Sequence, residues 1–265
     1  MTIPLFLNCR IAHNAAENPL SIMVSKKIKS LQHPFVKHCV RLRKEKAYRH
    51  EQEEVFVTGK KIIEQISKSI SPTQILSIFD INGDIQVTEE IMRKITGLRT
   101  PDGTAAIFPL PQIDKGKKKE AILVLDRIQD PGNLGILLRT ACALRFDEAV
   151  LTPETVDPFN DKAIRASSGA SFLLPFHVKS EKEIIEWIQK DKIPAYIADL
   201  KGTAADKLKV KKPFFLVLSH EGQGAASWLV KLSQKVNIPI QKKIESLNVA
   251  SAGSILMYEM MKEEA

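Results

Sequence analysis

Long apolar runs are missing from this chain. No stretch of about 18 or more apolar residues occurs, so no transmembrane helix is expected. Cysteine is scarce: Cys9, Cys39 and Cys142 are the three present, with no CxxC spacing among them. That excludes a zinc ribbon or a disulfide framework and points to a reduced, cytoplasmic protein. The six histidines are scattered, none at ligand spacing from another ligand, so no metal is expected. GxxxxGK[ST] is absent, which removes the P-loop, and no GxGxxG follows the first buried strand; "GQG" at 222–224 is only a fragment of one. The first 22 residues lack lysine and periodicity, and their apolar run is too short for a signal peptide. Residues 1–23 are expected to be a loose leader, with Met23 as an alternative start. No internal repeat or low-complexity tract is visible.

What is present is ordinary globular material: 265 residues, 44% hydrophobic and 26% charged, enough for one large or two modest domains. The net charge of +8 and pI near 9.3 suggest a polyanionic partner, nucleic acid first, although solubility alone gives the same sign. Basicity concentrates between Val24 and Lys60, where ten Lys or Arg face four Asp or Glu. Phe35, Tyr48, His33, His38 and His50 are interspersed there. Cations for phosphates and rings for unpaired bases suit a structured RNA, and Lys37, Arg41, Arg43 and Lys44 are the candidate contacts. A solvated amphipathic helix over 37–46 explains the same pattern equally well.

Strands are expected at 54–59, 73–80 and 103–111, with helices after the first and at 89–98. They form a small α/β sandwich over 24–112. The lysine-rich stretch 113–118 is the linker candidate. From 119 to 265 the strands are longer and nearly continuously apolar: 121–126, 148–152, 172–178, 194–200, 213–219 and 237–240. Such strands, separated by helices, indicate a parallel sheet covered on both faces.

Ligands of such sheets bind beyond the carboxyl ends of the strands. After the first, "DRIQDPGNLGILLRTACAL" (126–144) predicts a helix capped by Asn133, with Leu134, Leu137, Leu138 and Ala141 facing the core. Gly135 is expected to clear space for Arg139, whose side chain leans toward the helix start. A capped helix with a surface Arg reads the same. "FFLVLSHEGQG" (214–224) ends a buried strand on Ser219 and places Glu221 in a glycine-rich loop, where a carboxylate is a functional group or a turn residue. "IPIQKKIESLNVASAGSILMYE" (238–259) opens a helix on Ser246 and Asn248, followed by an unbroken run of small residues from Ala250 to Ser254.

These three segments, in this order, resemble the three motifs of the SpoU–TrmH family of RNA ribose 2′-O-methyltransferases, in the SPOUT superfamily. The first motif is carried by Asn133, Gly135 and Arg139. The second is Glu221, Gly222 and Gly224. The third is Ile238 and Pro239, then Ser246, Leu247, Asn248 and Val249. The likeness covers about residues 119–263. Residues 28–65 resemble, more loosely, the family's ribosomal-protein-like substrate-binding domain. The resemblance implies an α/β SPOUT domain with a deep trefoil knot, S-adenosylmethionine as cofactor, and a homodimer formed through the C-terminal domain. It implies catalytic roles for Arg139, Asn133, Glu221, Ser246 and Asn248, and cofactor contacts from Leu218, Ser219, Gly222, Ile238, Ile240 and Leu247. A guanidinium is a poor base, so Arg139 is read as holding phosphate and the developing alkoxide. The small residues 250–254 would let backbones approach at the knot. The family usually has glycine at Arg145, Ser219 and Lys242, where this chain departs from it. An RNA-binding member without methyl transfer, or a small-molecule α/β enzyme with an incidental basic surface, are the other readings the sequence leaves open.

Overall fold

The computed structural model describes residues 27–79, 85–111, 119–220, 222, 224–241 and 243–262. The expected leader, the expected linker, Glu221 and Lys242 lie outside them.

The N-terminal part comprises β1 (Lys27–Ile28), α1 (Pro34–Lys44), α2 (Lys46–Gln52), β2 (Glu54–Thr58), α3 (Lys60–Ser67), β3 (Gln74–Ser77), β4 (Ile85–Val87), α4 (Glu89–Thr96) and β5 (Thr104–Pro109). Its sheet is mixed, in the order β1-β4-β3-β5-β2. Side chains alternate across the pleat, so each strand feeds two cores. Phe56, Ala105 and Ile107 pack under α1 and α4 with Val36, Leu42, Ile91 and Ile95, while Val55, Val57, Ala106 and Phe108 face the opposite way, toward α3. Local chemistry fixes the helix ends. Pro34 opens α1, and α4 is capped by Thr88, whose hydroxyl accepts from Ile91 N, and ends on Gly97 at φ 69°. The single helix expected over 37–46 is instead α1 and α2, broken at Glu45 in an extended conformation.

The second part contains β6 (Ala121–Asp126), α5 (Pro131–Ala143), β7 (Glu148–Leu151), α6 (Asp161–Ser167), β8 (Phe176–Val178), α7 (Glu181–Asp191), β9 (Ala195–Ala204), β10 (Phe214–Ser219), α8 (Ser227–Leu232), β11 (Gln234–Asn237) and α9 (Val249–Met261). All six strands run parallel, in the order β11-β9-β10-β6-β7-β8. Both faces are covered: Ile122, Val124, Phe215 and Val217 meet α7 and α8, while Leu123, Leu125, Leu216 and Leu218 meet α5 and α9. That is why these strands read as unbroken apolar runs.

Three expected strands shift. Residues 170–172 form a 3-10 turn, so β8 begins only at Phe176. β9 continues to Ala204. β11 lies at 234–237, and residues 238–240 leave the sheet. No helix among the described residues is long and apolar enough to cross a membrane.

Candidate active site

β6 and β10 are paired in register, so Asp126 and Ser219 finish side by side at the sheet's carboxyl edge. Two of the helices that start from this edge, α5 and α9, lie together and parallel. Asn248 Nδ2 donates to Asn133 Oδ1 (3.1 Å) at their first turns, and Thr140 Oγ1 and Ser254 Oγ share a hydrogen bond (3.1 Å) about two turns on. Both helix mouths therefore open at one place.

The caps differ from the sequence reading. Asp130, not Asn133, caps α5: its carboxylate accepts from Asn133 N (2.9 Å) and from Lys162 Nζ (2.7 Å). The Lys162 contact, then the backbone N–H bond, hold the Asp130 carboxyl below its ordinary range. Asn133 sits one turn inside, which frees its side chain for Asn248. Asn248 caps α9, its Oδ1 accepting from Ala250 N (2.9 Å) and Ser251 N (3.3 Å).

Gly135 also serves a different purpose from the one expected. It is buried against α6, where a Cβ would come within 2.5 Å of Ala163 O and 2.8 Å of Ser167 N. It permits close helix packing rather than clearing a path for Arg139. Arg139 is exposed and makes no hydrogen bond or ion pair with any described residue. It lies six residues beyond Asn133, about 9 Å along the axis at the helical rise. The small-residue run is explained by packing. A Cβ at Gly253 would fall 2.5 Å from both Leu137 and Leu218, and Ala252 forms part of a cavity wall that a longer side chain would fill.

That cavity has a volume of about 600 Å³ and lies beyond β9, β10 and β11. Five of the six expected cofactor residues line it, namely Leu218, Ser219, Ile238, Ile240 and Leu247, and Ser246 joins them. Gly222, Asn133, Arg139 and Asn248 are not among its lining residues. Glu221 lies outside the described residues.

The sequence reading missed the charged wall formed by Asp199, Lys201 and Lys235. Lys235 Nζ binds Asp199 at 2.8 Å, and Lys201 N donates to Asp199 Oδ1 at 2.8 Å. Burial pushes the Asp199 carboxyl up, but these bonds outweigh it and the net shift is down. The only sequence signal for this wall was the polar second half of β9, "DLKGT".

The loop after β10 is pinned from β6. Buried Asp126 accepts from Arg127 Nη2 (3.0 Å) and Ala226 N (3.3 Å), and Arg127 Nη2 also reaches Gly224 O (2.8 Å). The hydrogen bond that Arg127 donates to Asp126 raises the Arg127 pKa.

Of the candidate RNA contacts, Lys37, Arg41 and Lys44 share an exposed face of α1 at helical spacing. Arg41 pairs with Glu45 (3.1 Å) and lies 3.7 Å above the Tyr48 ring. Arg43 stands apart, packed over Gly97 with its Nε buried and without a partner among the described residues.

The cavity suits a nucleoside carrying an amino acid. Leu218, Ile238, Ile240 and Leu247 offer apolar surface to a purine, the Asp199–Lys201–Lys235 wall offers both signs of charge, and Ser219 Oγ has no hydrogen-bond partner among the described residues. No cluster of His, Cys, Asp or Glu able to hold a metal occurs among the described residues.

Comparison with known proteins places these features in a family. A family model described as the SpoU rRNA Methylase family matches residues 120–258. The chain is 28% identical over 247 residues to the 23S rRNA (guanosine(2553)-2′-O)-methyltransferase RlmP of Bacillus subtilis, covering 89% of this chain and 99% of that one. It is 26% identical over 174 residues to the 23S rRNA (uridine(2479)-2′-O)-methyltransferase of Streptomyces viridochromogenes, covering 62% of this chain and 61% of the relative. The crystal structure of an AdoMet-bound rRNA methyltransferase from Sinorhizobium meliloti superposes with a TM-score of 0.78 at 26% identity, over 89% of this chain and 98% of that one. With more than half of its length matched, and with Asn133 meeting Asn248 at the carboxyl edge of a parallel sheet, the chain belongs to the SpoU rRNA methylase family.

Proposed function

We propose that this protein transfers a methyl group from S-adenosylmethionine to a ribose 2′-hydroxyl in ribosomal or transfer RNA. The observation that carries the reading is the cavity bounded by Leu218, Ser219, Ser246 and Leu247, next to the Asn133–Asn248 contact. S-adenosylmethionine supplies an electrophilic methyl group on a sulfonium. The chain holds the nucleophile. Arg139, exposed and without a partner among the described residues, binds the phosphate next to the target ribose and stabilises the oxyanion that forms as the hydroxyl loses its proton to that phosphate or to water. Asn133 and Ser246 orient the ribose. Asn248 acts mainly through Asn133, because its own carbonyl oxygen is engaged as a helix cap. Glu221 is assigned an orienting role from its motif.

Residues 24–112, a ribosomal-protein-like unit, recruit RNA through Lys37, Arg41 and Lys44, with Arg43 adjoining; residues 119–265 form the methyltransferase unit, with a deep trefoil knot at its C-terminus. Support for the knot comes from the tight seating of Gly253 between Leu137 and Leu218. The enzyme works in the cytoplasm as a homodimer through the C-terminal unit. Ile136, Ile255 and Tyr258 remain exposed on α5 and α9 and would be covered by a second copy. Light scattering at micromolar concentration tests the dimer, and a fully active monomer refutes it.

The test of function is Arg139→Ala. Methyl transfer to RNA should fall about a hundredfold or more, as when an oxyanion-stabilising donor is lost, with thermal unfolding and S-adenosylhomocysteine binding unchanged. Retained turnover in the folded variant removes the assignment. Cofactor binding by the wild type without transfer to any ribosomal or transfer RNA favours the RNA-binding alternative.

A further inference from the structure

The two sheets are joined by a seam that runs from the basic helix to the helix bearing Asn133 and Arg139. Arg49 on α2 is buried, and its guanidinium forms an ion pair with Asp157, which precedes α6. The same guanidinium donates to Leu42 O (2.7 Å) and Arg43 O (3.2 Å), so it also ties down the last turn of α1. Asp157 accepts in turn from Phe159 N (3.0 Å). Beside this pair the apolar side chains of both parts share one core. Phe108 meets Phe172 with ring centroids 5.7 Å apart, and Phe172 meets Phe159 at 5.2 Å. At Gly169, with φ 85°, a Cβ would come within 2.7 Å of Ile66 on α3. The chain of contact continues inward, since α6 is seated on α5 through Gly135.

We propose that this seam makes the enzyme a fixed-span reader of folded RNA, with Arg49 and Asp157 as positioning residues. The cationic face of α1 and the catalytic face of α5 are held at one separation and one angle. An RNA is methylated efficiently when its backbone crosses α1 while its target ribose lies at the cavity, so the fold of the RNA is selected as well as the local nucleotide. A swinging recruiting domain would raise local concentration without this selection. The inference rests on the reading that α1 recruits RNA.

The test uses the full chain. Replacing one partner alone would leave a buried charge unpaired, so the variant is Arg49→Gln with Asp157→Asn, which removes both charges and keeps the shapes. Phe159→Leu loosens the apolar half of the seam as a second variant. Electron-resonance distances are read between labels at Glu64→Cys and Lys190→Cys, in a Cys9→Ser, Cys142→Ser background. The expected result is a broadened distance in at least one variant. With it, kcat on a long folded RNA falls about tenfold or more, since misplacement by 1 Å can cost about a hundredfold. S-adenosylhomocysteine affinity, RNA affinity, and turnover of a short RNA bearing only the target loop stay within about twofold of wild type, since none of these needs the span.

A broadened distance with unchanged kcat overturns the proposal, as do unaltered distances in both variants, or equal losses on long and short RNA. The recruiting reading fails separately: replacing Lys37, Arg41 and Lys44 by Ala would then leave RNA affinity unchanged.

Discussion

Asn248 does two jobs that substitution can separate. Its Oδ1 satisfies two N–H groups at the start of α9, and its Nδ2 crosses to Asn133 on α5. Asn248→Ala removes both. Loss of the cap costs about 1 kcal/mol, within a range of about 0.5–2. The cross-helix hydrogen bond is exposed and contributes about 0.5–1 kcal/mol. The total of about 1–3 kcal/mol lowers Tm by about 2–12 °C in a chain of this size. Asn248→Ser keeps a good cap on a side chain too short to reach Asn133, so it should lose only about 0.5–1 kcal/mol, or about 1–4 °C. Activity should respond differently. Both variants remove the contact between Asn248 and Asn133, so both should lower methyl transfer by a similar factor even though one is nearly as stable as wild type. Thermal unfolding monitored by circular dichroism, beside initial rates of methyl incorporation into RNA, reads the two effects. If Asn248→Ser is as unstable as Asn248→Ala, the cap is not what Asn248 contributes. If Asn248→Ser keeps full activity, the Asn133 contact is not what orders the site.

Gly135→Ala should destabilise by about 2 kcal/mol or more, because overpacking against the α6 backbone outweighs the roughly 1 kcal/mol that alanine gains in a helix; urea unfolding measures it, and a neutral result would mean α6 can retreat. Two arginines with the same left-handed backbone should respond oppositely to glycine. Arg145 (φ 62°) is exposed and forms no pair with a described residue, so Arg145→Gly should be neutral or stabilise by up to about 1 kcal/mol. Arg127 (φ 56°) serves buried Asp126, so Arg127→Gly should cost on the order of 2 kcal/mol despite the relieved backbone. Paired denaturation curves decide, and equal shifts would refute the assigned role of the Asp126 contact.

The parallel sheet was legible because burial on both faces leaves no ambiguity in runs such as "AILVLD" and "FFLVLS". β1 and β4 were not, since two and three residues carry no periodicity and their pairing is set by the strands between them. The helix cap was misplaced because "QDPGN" holds two good capping residues; Pro131 decides between them, being best accommodated in the first turn with Asp130 outside it. The motif residues pointed to the carboxyl edge of the sheet because each follows an apolar strand in the sequence. What they could not give was the tertiary use of each glycine. Gly135 and Gly253 look alike in sequence, as small residues inside helices, yet one admits a neighbouring backbone and the other admits two leucine side chains. The seam around Arg49 was invisible for the same reason. A buried Arg reads as one more cation in a basic segment until Asp157, 108 positions away, is found against it. Its charge belongs to the fold's interior, so counting it toward the RNA surface overstated that surface. The exposed stripe on α1, formed by Lys37, Arg41 and Lys44, is narrower than the composition suggested.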